Sequence, residues 1–250
     1  MIPLRDDQPT STFPIITVLL IAANVLVYGA QVASGGALNQ SFALVPYEVT
    51  HNIDLAGQVM RDSQGHVVAA YGLSPHPLWL TIFTSMFMHG GLLHIGGNML
   101  YLWIFGNNIE DALGKVRFLV FYLVCGAIAS AVQILTDANS LVPNLGASGA
   151  IAGVLGAYFV LYPNARVLTI VPIFIAFLAN IRAYWVLFFW IALQLWQGAN
   201  GLGMRDQGGT AFFAHIGGFF AGMVIIQLLG GKRLAVQQRR EAQGLRPPGY

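Results

Sequence analysis

Six runs of apolar residues, separated by shorter polar stretches, dominate the pattern of this chain. A helix needs about 20 predominantly apolar residues to cross the hydrocarbon core of a bilayer, with a range near 17–25. The six runs approach or meet that length, and they lie at residues 13–32, 91–109, 117–135, 147–162, 183–199 and 211–230. The pattern therefore predicts an all-α polytopic membrane protein with a bundle of six transmembrane helices.

Two segments fall outside these six runs. Residues 33–90 are mostly polar or mixed and end in an amphipathic piece, HPLWLTIFTSMFMHG. The run 167–180, VLTIVPIFIAFLAN, is apolar but short, and it contains Pro172. We expect it to lie at the membrane interface or to extend the fifth helix, because a seventh span would place the two chain ends on opposite sides of the membrane.

The composition supports a location in a membrane. Hydrophobic residues make up 56% of the chain and charged residues 9%, and the mean hydropathy is +0.65. Soluble domains carry roughly 25% charged residues, so this chain has too few to cover a soluble globule. The net charge is only +2, and no basic cluster is interleaved with aromatic residues, so we expect no nucleic-acid partner. The single cysteine, Cys125, lies within an apolar run and is expected to pack there.

The distribution of positive charge agrees with six spans. With the N-terminus in the cytoplasm, ten Lys and Arg residues fall on the cytoplasmic side and two fall outside, as the positive-inside rule requires. The cytoplasmic set is Arg5, Lys115, Arg117, Arg166, Arg182, Lys232, Arg233, Arg239, Arg240 and Arg246, and the outer set is Arg61 and Arg205. Both termini are therefore predicted to be cytoplasmic.

The charge pattern also divides the chain into three parts. We expect a short cytoplasmic tail at residues 1–12, a six-helix domain at 13–230 and a solvated basic tail at 231–250. The leader carries two aspartates against one arginine, and the first apolar run is long enough to span, which favours a retained helix over a signal peptide. Short tails without a transit-like leader favour a bacterial inner membrane.

Polar residues at the start of the second predicted helix require a reason, because such side chains are costly in a membrane. His94 and Asn98 are four residues apart and share one helix face. Both side chains donate hydrogen bonds, either to a neighbouring helix as structural contacts or to a reacting group. His89, nearer the loop, has a weaker claim to either role.

The stretch NLGASGAIAGVLGAYF opens the fourth predicted helix and contains Ser148. Gly149 and Gly153 form a small-xxx-small pattern, which by itself predicts close helix packing, and Gly146 and Gly156 extend the surface of small residues. The G-x-S-x-G motif of α/β-hydrolases is absent because position 150 is alanine. Ser148 is therefore either part of a packing surface or a nucleophile.

The sixth predicted helix opens with AFFAHIGGFFAGM and presents the same choice. His215 lies in its first turns, and Gly218 and Gly222 form a second small-xxx-small pattern. A histidine in this position is either a packed structural residue or a catalytic base.

Topology favours the catalytic alternative. The second, fourth and sixth helices all run from outside to inside, so His94, Ser148 and His215 lie at a similar depth near the outer surface. A serine, a histidine base and further donors in one layer are the groups that acyl transfer needs. No Asp or Glu lies within an apolar segment at the depth of His215, which indicates a Ser-His dyad.

These residues resemble the rhomboid family of intramembrane serine proteases. Three segments carry the resemblance, in the order and on the helices that the family uses, and it extends over about residues 13–230: HGGLLHIGGNMLYLWIFGNNIED, GASGAIAG and AHIGGFFAG. Both catalytic positions are present. The resemblance implies a rhomboid-like six-helix bundle that cleaves transmembrane protein substrates within the lipid bilayer.

The resemblance also implies a role for each residue. Ser148 would be the nucleophile, His215 the base, and His94 and Asn98 would donate to the oxyanion with the Ser148 N–H. Among the small residues, Gly149, Gly153, Gly218 and Gly222 would let the fourth and sixth helices approach closely, with Gly146 part of the same packing surface. No cofactor and no metal is implied.

Two positions depart from the family pattern. The loop before the second helix often carries a Trp-Arg pair, whereas here Trp79 is followed by Leu80. Some members have an aromatic residue four positions after the serine that stacks on the histidine, whereas here that position is Ala152. Glu110 matches a position that braces helices, and we expect a structural role for it.

Two other classes compete with a serine protease. A membrane binder or transporter would use the same polar layer without catalysis; a repeated half would favour a transporter, and no such repeat is evident. A zinc protease would need an H-E-x-x-H motif, and neither His89 nor His94 is followed by glutamate.

Overall fold

The protein is described here from a computed structural model that covers residues 1–61, 64–173, 175–201 and 211–242. The helices within these residues are α1 (Ile15–Ala33), α2 (Ala37–Phe42), α3 (Pro46–His51), α4 (Thr81–Thr84), α5 (Leu92–Leu113), α6 (Lys115–Thr136), α7 (Ser148–Leu161), α8 (Ala183–Gly201), α9 (Phe212–Leu228) and α10 (Gly231–Ala242). The strands are β1 (Ile2–Asp6), β2 (Val59–Arg61), β3 (Val67–Ala70), β4 (Arg166–Ile173) and β5 (Ile175–Arg182).

All six predicted apolar segments are helical, as α1 and α5–α9. Helices α1 and α6 are long and apolar enough to cross a membrane, and α7 and α9 are shorter apolar helices. The segment Leu78–Phe87 and helix α5 pass the same test together but are bent by 82°. By length and composition, the described residues thus contain two spanning helices, or three if the bent pair forms one span.

Helix α7 lies at the centre of the bundle and packs against α5, α6, α8 and α9. Its residues are apolar on nearly every side, and a helix of that kind is typically buried all round. Tyr158, Val154 and Leu155 on α7 are fully buried. The first residue of this central helix is Ser148, so the fold places that serine where the packed core ends.

The segment 167–180 is an antiparallel hairpin of β4 and β5, and not an extension of the fifth helix. Its β-branched residues disfavour a helix, and the alternation of Val167, Thr169 and Val171 buries one face of β4. Strand β1 pairs antiparallel with β4 and completes a three-stranded sheet in the order β1-β4-β5. The helical alternative is therefore wrong, because a buried strand and a short apolar helix segment have similar composition, whereas a location at the membrane interface stays a prediction.

The N-terminal residues 1–12, which form the predicted cytoplasmic tail, are docked against the bundle. The hydroxyls and amides of Ser11 and Thr12 donate to the Asp111 carboxylate at 2.6–3.0 Å. The adjacent Glu110 is buried and accepts hydrogen bonds from the N–H groups of Ile16 and Thr17 at 2.9 and 2.7 Å. Glu110 therefore satisfies the unpaired amides at the start of α1 from a different helix, which is a structural bracing role.

The C-terminal segment also differs from the prediction of a solvated tail. Residues Gly231–Ala242 form α10, which packs against α5, α7 and α9. Leu234 and Ala235 contact the hydrophobic core and explain why this basic segment folds back. Residues 243–250 of the predicted tail lie outside the described residues, as do Arg205 and Arg246 of the charge count.

The segment before α5 forms a small cap with its own core of Val45, Leu55 and Tyr71. Glu48 is buried beneath it and accepts from Leu55 N–H at 2.9 Å, and this burial raises the pKa of Glu48. Trp79, one of the positions that depart from the family pattern, is half exposed and meets Phe83 edge-to-face.

Asp6 joins β1 to two helices and supports a prediction about pH. Tyr158 Oη and Asn108 Nδ2 donate to its carboxylate at 2.5 and 2.8 Å, yet burial raises the pKa of Asp6 from 3.8 to about 6. Because the folded-state pKa lies above the unfolded value, folding favours the protonated acid. The resulting stability is full below the unfolded pKa and is lost as the pH rises through about 6.

Asp6→Asn is therefore expected to stabilise the protein near pH 7.5 by about 1–2 kcal/mol, after discounting the full pKa shift for residual solvent exposure. The gain should shrink as the pH falls toward about 4.5, where less of the carboxylate charge has to be buried. Thermal unfolding in detergent at both pH values measures it. Asp7→Asn is the control: Asp7 is exposed and its variant keeps an oxygen that can accept from Arg166 N–H at 2.7 Å, so its stability should change less than that of Asp6→Asn. A destabilised Asp6→Asn variant at neutral pH would contradict the prediction.

Candidate active site

Ser148 and His215 are in hydrogen-bonding contact. Ser148 is the first residue of α7, and His215 lies in the first turn of α9. The distance from His215 Nε2 to Ser148 Oγ is 2.7 Å. Two residues that are 67 positions apart in the chain thus form a pair of the kind that activates a serine hydroxyl.

Glycines make the approach of α7 and α9 possible. A Cβ on Gly218 would collide with the carbonyl oxygen of Gly149, and a Cβ on Gly222 would collide with that of Gly153. Gly149 and Gly153 themselves face α6, where a Cβ would meet Ala129 and Cys125. The four glycines therefore allow close packing at two interfaces of α7, one with α9 and one with α6.

Gly146 has a different role from the packing that its sequence context suggests. It precedes α7, and its φ of +127° lies in the region that favours glycine. A Cβ at this position would lie 2.8 Å from His94 Nε2. Gly146 therefore makes space for the His94 ring beside Ser148.

His94 turns one ring nitrogen toward the site. Its Nδ1 accepts a hydrogen bond from Gly90 N–H at 3.3 Å, which requires the proton of the neutral ring to be on Nε2. The Nε2–H group lies next to Gly146 and faces the region of Ser148. His94 is therefore able to donate a hydrogen bond through its Nε2–H group.

Asn98 lies one helical turn beyond His94 on α5 and is buried. Its Nδ2 makes no hydrogen bond within the part of the chain that the structure describes. A buried donor without a partner costs free energy, so such groups commonly have a functional reason.

His89 is placed behind the site and not in it. Its ring is buried and meets the His94 ring edge-to-face, with 5.1 Å between centroids. Gln31 of α1 holds the His89 backbone through its amide, which accepts from His89 N–H and donates to His89 O at 3.1 and 3.0 Å. These contacts favour a structural role for His89.

Two residues of α8 contact His215, and neither was predicted from the sequence. Gln194 Oε1 lies 2.7 Å from His215 Nδ1, and both side chains are buried. The Trp190 ring lies beside the imidazole, with 5.7 Å between centroids and a tilt of 36°. An aromatic neighbour of His215 therefore comes from α8, and not from position 152 on α7. An amide four residues after a Trp in an apolar helix was the available signal.

A cavity of about 610 Å³ connects these groups. Its polar lining comes from three helices and includes His94, Asn98, Ser148 and His215. Leu93, Tyr101 and Trp190 supply part of its apolar wall. Within the described ranges, no group of three His, Cys, Asp or Glu side chains is arranged to hold a metal ion.

The fold and the site define a helical membrane protein with a part-buried serine–histidine pair beside a polar cavity. The Rhomboid domain profile matches residues 76–232, which is more than half of the sequence. The chain belongs to the rhomboid family.

Curated relatives from several organisms agree with this assignment. Rhomboid protein 1, mitochondrial, of Saccharomyces cerevisiae is 33% identical over 154 residues, which cover 58% of this chain and 40% of that protein. The Rhomboid protease GluP of Bacillus subtilis is 31% identical over 153 residues, or 61% of this chain and 25% of that protein. The chain thus matches less than half the length of either relative.

Proposed function

We propose that this protein is a rhomboid-type serine endopeptidase that hydrolyses peptide bonds in or near the transmembrane segments of other membrane proteins. The observation that carries the proposal is the 2.7 Å contact between Ser148 Oγ and His215 Nε2. Membership of the rhomboid family and the similarity to a relative named as a protease support it.

The proposed reaction proceeds through an acyl-enzyme. Ser148 Oγ attacks the scissile carbonyl carbon while His215 Nε2 accepts the hydroxyl proton. The tetrahedral intermediate collapses when the C–N bond breaks and His215 returns the proton to the leaving amine. Water then attacks the Ser148 ester with His215 again as base, and the acid product and free serine are released.

The oxyanion hole in this proposal consists of His94 Nε2–H, Asn98 Nδ2–H and the backbone N–H of Ser148. The first is held as a donor by Gly90, the second has no partner among the described residues, and the third belongs to the unpaired amides at the start of α7. Donors fixed in advance where negative charge develops are worth more than donors that must reorient.

The cavity supplies what hydrolysis in a bilayer requires, namely a polar space for water and for an unwound peptide. The carbonyls of a helical substrate are already hydrogen-bonded, so a cleavable segment must unwind locally. Gly and Pro near the cut would help, since they weaken a helix by about 1 and 3 kcal/mol. We propose entry between α5 and α8, because both helices contribute to the cavity wall.

Six spans with cytoplasmic termini remain our proposal for the topology, with a bacterial inner membrane as the location. The contacts at the two chain ends support it. Asp6 bonds Tyr158 near the end of α7, and Gly231 lies against Leu161 at that same end. The serine begins α7 at its opposite end, so β1 and the start of α10 lie at the end of the bundle that is remote from the site.

Covalent labelling tests the proposal. The purified protein in liposomes should cleave a single-pass reporter and should form one fluorophosphonate adduct, which peptide mass spectrometry locates on Ser148. A binder or transporter that uses the same cavity would neither cleave the reporter nor react. Labelling that persists in Ser148→Ala would also overturn the proposal.

The oxyanion hole has its own test. Asn98→Ala is expected to lower kcat about 10²–10³-fold, the usual cost of one oxyanion donor, with little change in KM. Asn24→Ala is the matched control, since Asn24 is a buried amide on α1 that donates to its own helix at Leu20 O. Equal losses in both variants, or an unchanged kcat in Asn98→Ala, would remove Asn98 from the oxyanion hole.

A further inference from the structure

The imidazole of His215 has two ring nitrogens, and each has a different partner. Nε2 faces Ser148 Oγ, and Nδ1 faces Gln194 Oε1, both at 2.7 Å. An amide oxygen only accepts hydrogen bonds, so Nδ1 must carry the proton. In a neutral ring, Nε2 is then the acceptor that faces the serine hydroxyl, which is the form that a general base needs.

We propose that Gln194 is the positioning residue of the site: its amide oxygen holds His215 in the base-competent tautomer and ring orientation, as the third member of a Ser-His-Gln triad. This inference rests on the proposed function. It replaces the dyad that the absence of a buried acid near His215 suggests. Neutral amides are chemically sufficient for this role, because an Asn serves as the third member in Cys-His-Asn proteases.

The location of Gln194 explains why an amide is used instead of a carboxylate. Gln194 is 7% exposed and lies within an apolar helix. An ionised Asp or Glu there would lose its hydration and would need a compensating charge. An amide offers the same acceptor geometry without a net charge.

Trp190 completes the arrangement from the same helix. It lies four residues before Gln194, so both side chains project from one face of α8. Gln194 fixes the imidazole at its edge, and the Trp190 ring limits its rotation from the side. Without these contacts the ring could rotate or change tautomer, and an Nε2–H would then face Ser148 and could not accept its proton.

Three substitutions at position 194 separate positioning from packing. Gln194→Met and Gln194→Leu keep an apolar side chain of similar size but remove the acceptor, whereas Gln194→Glu keeps an acceptor oxygen. Reporter cleavage in liposomes gives kcat and KM, fluorophosphonate labelling gives the reactivity of Ser148, and thermal unfolding gives stability. Gln227→Met is the control, because the Gln227 side chain is exposed on α9 and donates to Met223 O of its own helix.

We expect Gln194→Met and Gln194→Leu to lower kcat and the labelling rate by about 10- to 100-fold, by analogy with the loss of the partner that orients a metal-binding histidine. KM and the melting temperature of these two variants should stay close to the parent values. Gln194→Glu keeps an acceptor oxygen and should label faster than either, at the cost of a lower melting temperature because its carboxyl group is buried. Gln227→Met should match the parent.

Two results would overturn the inference. One is parental activity in both Gln194→Met and Gln194→Leu. The other is a loss of activity that parallels the melting temperature across all three variants, which would make Gln194 a packing residue. Ser148→Ala is measured alongside: cleavage that depends on Ser148 but not on Gln194 refutes only the triad, whereas cleavage that survives in Ser148→Ala refutes the proposed function.

Discussion

Replacing either Ser148 or His215 with alanine is expected to lower the rate of reporter cleavage at least about 10³-fold. The serine variant has no nucleophile, and the histidine variant loses the base that contacts the Ser148 hydroxyl. Because the two residues act as one unit, the double variant should be no slower than either single variant. Cleavage kinetics of the four proteins in the same liposomes measure the effect.

The fold should survive the serine substitution. Among the described residues, no side-chain capping bond is made at the start of α7, and the Ser148 hydroxyl hydrogen-bonds the His215 imidazole. His51→Ala is a suitable control, since His51 is an exposed histidine of α3. If the double variant were slower than both single variants by the product of their effects, Ser148 and His215 would act independently and the dyad would be wrong.

Hydropathy predicted the long helices because a helix that lies in a bilayer must be apolar over a run of about 20 residues. Each of the six apolar runs is helical, and the ends differ from the predicted ones by only a few residues. The alternating direction of successive helices also predicted that Ser148 and His215 lie in one layer, since helices that run in one direction place their first turns at one depth. Contact between the two side chains could not be derived, because it depends on the distance between α7 and α9.

The pairing of the three-stranded sheet could not be predicted from the local sequence pattern. Strand β4 lies between β1 and β5, and β1 comes from the other end of the sequence. Residues 2–6 contain no strand signal that is strong enough alone, and their conformation is decided by the partner at Arg166–Ile173. Apolar composition indicated that 167–180 is buried or interfacial, but not that it pairs.

The partners of the histidines were also invisible in the sequence. Gln194 and Trp190 precede His215 by 21 and 25 positions, and nothing in their own helix indicates which neighbour they face. Gly90 determines the His94 tautomer through a backbone N–H, which no residue type can reveal. Motifs therefore indicate which residues take part in such a site, whereas packing determines which protonation state each of them adopts.

Gly222→Ala is expected to cause the largest loss of folding stability, although it adds a single methyl group. The new Cβ would collide with the carbonyl oxygen, carbonyl carbon and Cα of Gly153. These are backbone atoms of the central helix, so neither a rotamer change nor a side-chain shift relieves the clash, and α9 must move away from α7. Overpacking of this kind costs about 1–3 kcal/mol and sometimes more. A displacement of about 1 Å at the dyad can also cost about 10²-fold in rate.

Gly29→Ala is the matched control for this prediction. Gly29 lies on α1, and its added Cβ would meet no atom within 4 Å. Alanine is favoured over glycine inside a helix by about 0.5–1 kcal/mol, so this variant should be as stable as the parent or slightly more stable. Thermal unfolding and the rate of Ser148 labelling in both variants measure the two effects. If Gly222→Ala retained the parental melting temperature and labelling rate, the contact between α7 and α9 would be looser than the glycine geometry requires, and the 2.7 Å approach of His215 to Ser148 would need another explanation.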